Sequence, residues 1–358
     1  MTRRFVLLVL GGFLLTLVGI GGCDNRGGSA GGGGASTSNT PADGEKPLHI
    51  GVAIPTADHG WPAGVGWWAQ QTMKKYPGVK WEFQRATTGA EQDAQIKVML
   101  QKGIDGLVVL PWDSDGPLPA IKEAKRQGVY VVSVDRGLRE PVADIYIAGD
   151  NRAFGRKAAQ YMVEKLGGKG KIVILRGLPV EIDAERHDTA MGVFKQHSGV
   201  EVLGAQPGNW HREDAYKVMQ NFLTQFPQID AVWASDDDMA LGVEQAIREA
   251  GRQDQMWILG GAGMKDIVKK VMDKDVMYPA DITYPPGMIA AGMDLCVGHL
   301  RSDKPAEVAR QIPPHLGVDE AQVEKALEKS DKQTDVHLDV HLITPENAKE
   351  FYFPESVY

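Results

Sequence analysis

From Leu48 onward, short β-branched apolar runs alternate with longer stretches of helical period. The first series reads LHIGVAI, VKWEFQR, GLVVL and VYVVSV, separated by helical stretches over 62–76, 90–102 and 117–127. A second series reads KIVIL, VEVLGA, DAVWAS, MWILGG and VMYPADI, each followed by a helical segment. Runs that are apolar throughout are covered on both faces, and strands joined through helices lie parallel. The pattern therefore predicts an α/β chain with two Rossmann-like lobes of similar topology. Crossings between the lobes are expected near Gly149-Asp150, at Asp281 to Thr283, and after Pro314. The expected division is 48–149 plus 284–314 for the first lobe and 150–283 plus 315–358 for the second lobe and tail.

Residues ahead of Leu48 stand outside this pattern. MTRR, the apolar stretch FVLLVLGGFLLTLVGIGG and then Cys23 read as a secretory signal over 1–22. The glycines and the sharp end at IGGC weigh against a membrane-spanning anchor. The stretch resembles a bacterial lipoprotein signal, in which the Cys after the small residues is lipidated and becomes the first residue. Segment 23–47 is rich in Gly, Ser, Thr and Asn without a large apolar residue, so a flexible tether is expected. With Cys23 carrying lipid, the second of the two cysteines, Cys296, has no partner for a disulfide. It sits in the apolar stretch IAAGMDLCVGHL and reads as core. A formal charge of −8 without a basic patch excludes nucleic acid as a partner.

In parallel α/β sheets, ligands bind outside the carboxyl ends of the strands. LHIGVAI ends toward Asp58, His59, Gly60 and Trp61, and GLVVL ends toward Trp112. VYVVSV ends at Asp135-Arg136, KIVIL leads on to Arg186, and VEVLGA leads to QPGNW with Trp210. DAVWAS ends at Asp236-Asp237-Asp238, and MWILGG at Ala262. Carboxylates, guanidinium groups and indoles suit a polyhydroxylated ligand. Each hydroxyl both donates and accepts, and bonds to charged partners are the stronger kind. Tryptophan supplies apolar area for C–H faces. Among the three aspartates, Asp238 is expected to cap the helix while Asp236 faces the cleft. Trp67 and Trp68 read as packing residues of the first helix.

The segments IDAVWASDDDMALGVEQAIREAG, VVSVDRG and PGNWHREDAYKVMQNFL resemble the ribose- and galactose-type periplasmic substrate-binding proteins of bacterial sugar ABC importers. The resemblance runs from about residue 48 to about 301. It implies a type I fold with two lobes joined by a multi-strand hinge, and a sugar or polyol held between them. Matched motif to motif, the implied ligand residues are His59, Trp61, Asp135, Arg136, Arg186, Trp210, Asp236 and Thr283. Two positions depart from the family: Ala262 replaces a common Asp, and Thr283 replaces a Gln at the last crossing. The class of ligand carries over, but its identity does not. The implied partners are an ABC permease in the inner membrane and, through the lipid on Cys23, the membrane itself. A monomer in the periplasm or at the cell surface is expected.

Two other classes are open on the residues: a sugar-sensing receptor for a membrane kinase or chemoreceptor, and an enzyme acting on sugars. The enzyme needs a paired acid and base or a metal. There is no HExxH or GxSxG, GGAGMK lacks phosphate-loop spacing, and the three aspartates lack calcium-loop spacing, so no metal or cofactor is expected. In the tail, EAQVEKALEKSDK reads as a helix, HLDVHLI as a strand, and the aromatic end as a segment docked on a lobe.

Overall fold

A computed structural model describes residues 47–57 and 60–358. The expectations for Cys23 and the signal, and for His59, lie outside the described residues. The first elements are β1 (His49–Pro55), α1 (Gly60–Lys75), β2 (Lys80–Ala86), α2 (Gly89–Gln101), β3 (Gly106–Val109), α3 (Leu118–Arg126), β4 (Tyr130–Val134) and β5 (Ile145–Gly149). They are followed by α4 (Asn151–Lys165), β6 (Gly170–Arg176), α5 (Glu181–Gln196), β7 (Val200–Pro207), α6 (Arg212–Gln225), β8 (Ala231–Ala234), α7 (Asp237–Glu249), β9 (Trp257–Leu259) and α8 (Lys265–Met272). The chain then runs through β10 (Asp281–Ile282), α9 (Met288–Arg301), α10 (Pro305–Ala309), α11 (Glu320–Leu327), β11 (Thr334–Leu338) and β12 (Leu342–Ile343).

Two parallel sheets result, with orders β11-β5-β4-β3-β1-β2 and β7-β6-β8-β9. In the first, successive residues of a strand enter different cores. Val52, Val108 and Val132 pack with Val65 of α1 and Met293 of α9. Their neighbours Ala53, Val109 and Val131 pack with Ile96 of α2 and Ile121 of α3. Both faces are thus covered, which is why these strands are apolar throughout. Cys296, fully buried on α9, belongs to the first of those cores, where burial pushes its thiol pKa up.

The structure corrects the lobe boundaries. Strand β11 pairs in parallel with β5, Thr334 opposite Ile145 and Leu338 opposite Gly149. Residues up to 338 therefore complete the first sheet, and the third crossing falls at 339–341, not directly after Pro314. HLDVHLI is divided between β11 and β12, and VMYPADI contributes only the two residues of β10. Strand β5, IYIAG, is an added element. The three crossings are bonded to one another. Asp150 N–H donates to the Leu338 carbonyl at 3.3 Å and Thr283 N–H to the His341 carbonyl at 2.9 Å, while β10 pairs antiparallel with β12. Beyond β12 the chain touches both lobes: Phe353 stands edge-on to Trp68 of α1, and Lys265 of α8 donates to the Ser356 carbonyl at 2.5 Å.

Candidate ligand-binding cleft

A cavity of about 360 Å³ opens at the carboxyl ends of both sheets. Trp61, Asp135 and Arg136 line it from the first lobe; Arg186, Trp210 and Asp236 line it from the second. A larger groove, about 580 Å³, lies away from the cleft along Lys122, Lys125 and Arg126. These three cations are already paired with Glu140, Asp144 and Glu123, and the groove presents no aromatic side chain beside them.

Asp135 follows β4 with φ 63°, a left-handed conformation uncommon outside glycine. The Arg136 N–H closes on the Val134 carbonyl at 2.8 Å, making a tight γ-type turn with Asp135 at its centre. Neighbours hold the strained residue in place. Its N–H donates to the Ile147 carbonyl at 2.8 Å, and Tyr146 Oη donates to its carbonyl at 2.7 Å. Its carboxylate Oδ1 accepts from Tyr284 Oη at 2.8 Å. Burial pushes the carboxyl pKa up, while Arg136, the Tyr284 hydrogen bond and Arg186 pull it back. Arg136 is anchored by donating Nη1 to the Trp112 carbonyl, which explains Trp112 as a support and not a lining residue.

The second lobe supplies a buried cation. Arg186 Nε donates to Asn151 Oδ1 at 2.9 Å and Nη1 to the Ser235 carbonyl at 3.2 Å. Its guanidinium carbon lies 4.2 Å from the Phe154 ring centre and 4.3 Å from that of Tyr284. These bonds use two of the five N–H groups, leaving others for a ligand. Beside it, Arg176 and the Gly177 N–H both donate to Asp183, fixing the loop that brings Leu178 to the cavity.

Asp236 caps α7. Its Oδ1 accepts from Asp238 N–H at 2.9 Å and Met239 N–H at 3.2 Å. The capping role expected of Asp238 is thus corrected: Asp236 both caps and lines the cavity, while Asp238, which also lines it, pairs with Arg212 at 2.6 Å. Burial pushes the Asp236 pKa to about 7 against the pull of the helix N–H groups. Asp237 turns away from the cleft to accept from Gly261 and Met264 N–H, each at 2.7 Å.

The indoles stand on opposite lobes. Trp61 donates Nε1 to the Tyr284 carbonyl at 2.7 Å. Trp210 and Asn209 are both left-handed, with φ 54° and 58°, in the turn after β7. Trp210 lies so close over Gly177 that any β-carbon there would overlap the indole. The buried Nε1 of Trp210 finds no partner among the described residues. Thr283 departs from expectation. It does not line this cavity, because its Oγ1 accepts from His341 N–H at 2.8 Å within the crossing strands. Ala262 does line it, with φ 112°. Sequence reasoning passed over Asn151 and Tyr284, though both adjoin crossings that it located.

Two parallel-sheet lobes joined by three crossing strands, with one cleft between them, define a type I binding protein. A family model described as a periplasmic binding protein domain matches residues 50–304, and the chain belongs to that family. The ribose import binding protein of Salmonella typhimurium is 32% identical over 217 residues, covering 60% of this chain and 72% of that protein. The xylitol-binding protein of Mycolicibacterium smegmatis is 34% identical over 186 residues, 51% of this chain and 53% of that one. Matches to the first curated relatives span 53%, 64% and 63% of their lengths. Among solved structures, an ABC transporter solute binding protein from Bacillus halodurans with bound myo-inositol has a TM-score of 0.70 at 20% identity, covering 86% of this chain and 97% of that one.

Proposed function

We propose that this protein is an exported, lipid-anchored receptor that captures a neutral sugar or polyol and delivers it to an ABC permease without chemically altering it. One observation carries the reading: a single cavity receives a guanidinium, a carboxyl and an indole from each lobe. Asp238, which also lines the cavity, is paired with Arg212, and the formal charges of Arg136 and Arg186 balance those of Asp135 and Asp236 when both acids are ionised, which suits a neutral ligand. A group that fills the cleft touches both lobes at once, so it binds the closed arrangement better and shifts the population toward it. Burying hydroxyls against these groups also rejects deoxy analogues, which leave them unpaired. The relatives named for xylitol and ribose binding support the ligand class.

A thermal-shift and calorimetric panel of xylitol, ribose, allose, myo-inositol and their deoxy analogues tests the proposal. At least one neutral polyol should stabilise the protein, by about 2.7 kcal/mol at a hundredfold excess over its Kd. If no neutral polyol or sugar binds, the reading fails.

A further inference from the structure

Tyr284 follows β10 at a crossing and is 4% exposed. Three of its parts meet three groups that line the cleft. Its hydroxyl donates to Asp135 at 2.8 Å, its carbonyl accepts from Trp61 Nε1 at 2.7 Å, and its ring lies 4.3 Å from the Arg186 guanidinium carbon. Asp135 and Trp61 come from the first lobe, Arg186 from the second. Tyr284 also abuts Gly149 at another crossing, where any β-carbon would overlap its ring, and Phe154 meets it edge-on at a centroid distance of 6.2 Å.

We propose that Tyr284 is the positioning residue of the cleft, holding Asp135, Arg186 and Trp61 in one mutual geometry. The proposal rests on reading the cavity as a polyol site. The phenol occupies Oδ1 of Asp135 and leaves Oδ2 as the acceptor for a ligand hydroxyl, with Arg136 Nε 4.0 Å from that oxygen. The carboxylate is otherwise short of support. The groups bearing on it are Arg136, Arg186 and Tyr284, with Tyr146 bonded to its main-chain carbonyl. Removing the phenol hydroxyl leaves burial less opposed, so Asp135 takes up a proton at higher pH and becomes a donor where the site needs an acceptor. A residue that merely filled space would not produce that change.

Two measurements test this. In ligand-free protein, the ¹³C carboxyl titration of Asp135, assigned by its loss in Asp135→Asn, should have a higher midpoint in Tyr284→Phe than in the wild type. Site-specific 3-fluorotyrosine in place of Tyr284 keeps the packing and strengthens the donor, so it should lower the midpoint. It decides the matter if Tyr284→Phe does not fold. With a polyol that binds the wild type, Tyr284→Phe should raise Kd at least tenfold, yet raise it less than twofold when added to Asp135→Asn. Unmoved midpoints, or losses that simply multiply, overturn the proposal. If no polyol binds the wild type, the functional reading falls, while the ligand-free titration still decides the role of Tyr284.

Discussion

Asn151 holds Arg186: its amide oxygen accepts the guanidinium Nε–H at 2.9 Å, and both side chains are buried. Asn151 opens α4 directly after the first crossing, whereas Arg186 lies on α5. The cation that lines the cavity from the second lobe is thus fixed from the place where the lobes join.

Arg186→Ala should weaken binding of the cognate polyol by about 1.5–3 kcal/mol, the usual size of a lost hydrogen bond to a charged group. It should also lower apo stability, because the Asn151 amide and Ser235 carbonyl lose their buried partner. Asn151→Ala keeps the charge and loses only its alignment, so a penalty of about 1 kcal/mol is expected in calorimetry. Equal binding by all three proteins would place the ligand elsewhere.

Asp236 has its pKa pushed up to about 7 by burial, as does Asp281, while Asp237 is raised by burial and by the nearby Asp281. A carboxyl raised on folding binds its proton more tightly in the native state. It contributes stability below the ordinary aspartate range and loses it as pH rises toward 7. Unfolding free energy should therefore decline between about pH 4 and 7 through these groups. Asp236→Asn retains a capping oxygen and removes one proton from the linkage. Its urea-derived stability should fall less steeply, by up to about 1.4 kcal/mol per pH unit. Parallel wild-type and variant curves would contradict the assignment.

Trp61→Ala and Trp210→Ala should each cost at least about 2 kcal/mol in binding, as for desolvated aromatics at the centre of an interface. Their apo stabilities should differ. Trp61 packs against the main core and bonds the crossing, so its loss should lower the melting temperature. Trp210 buries an N–H that has no partner among the described residues. Trp210→Phe removes that unpaired donor, so apo stability should be kept while affinity falls wherever the ligand uses the indole N–H. A Trp210→Phe variant with lower stability and unchanged affinity would return the indole to a structural role.

Cys23→Ala should shift the protein from the membrane fraction to a soluble or unprocessed form. Mass spectrometry of native membrane-bound protein should find Cys23 as the modified first residue. An intact Met1 there would rule out the lipoprotein reading.

The sheets were legible because strands covered on both faces are apolar throughout, and VVSVDRG and DAVWASDDDMALG put Asp135 and Asp236 at strand ends. Strand β5 was not: IYIAG is short and lies between polar residues and a proline. HLDVHLI showed its apolar character, but no local signal says that its first part pairs with a strand nearly two hundred residues earlier. Thr283 was assigned to the cleft by its place in a motif. In three dimensions the crossing strands claim its hydroxyl, leaving the next residue, Tyr284, to reach the site. Asp236 shows the same limit: cap and cleft residue are one side chain, a coincidence visible only once the helix axis is known.

The pairing of β11 with β5 also bears on the order in which the molecule can be assembled. Strands β6 to β9 all fall between residues 170 and 259, so the second sheet is closed as soon as that stretch of polypeptide is available. The first sheet begins earlier but finishes later: the free edge of β5 waits for residues 334–338. Contacts so distant in sequence form slowly, and an uncovered strand edge invites pairing with another chain in the interval. The lobe that starts first is therefore the last to mature. Pulse-labelled hydrogen exchange should find β6 and β8 amides protected before those on the β5 edge.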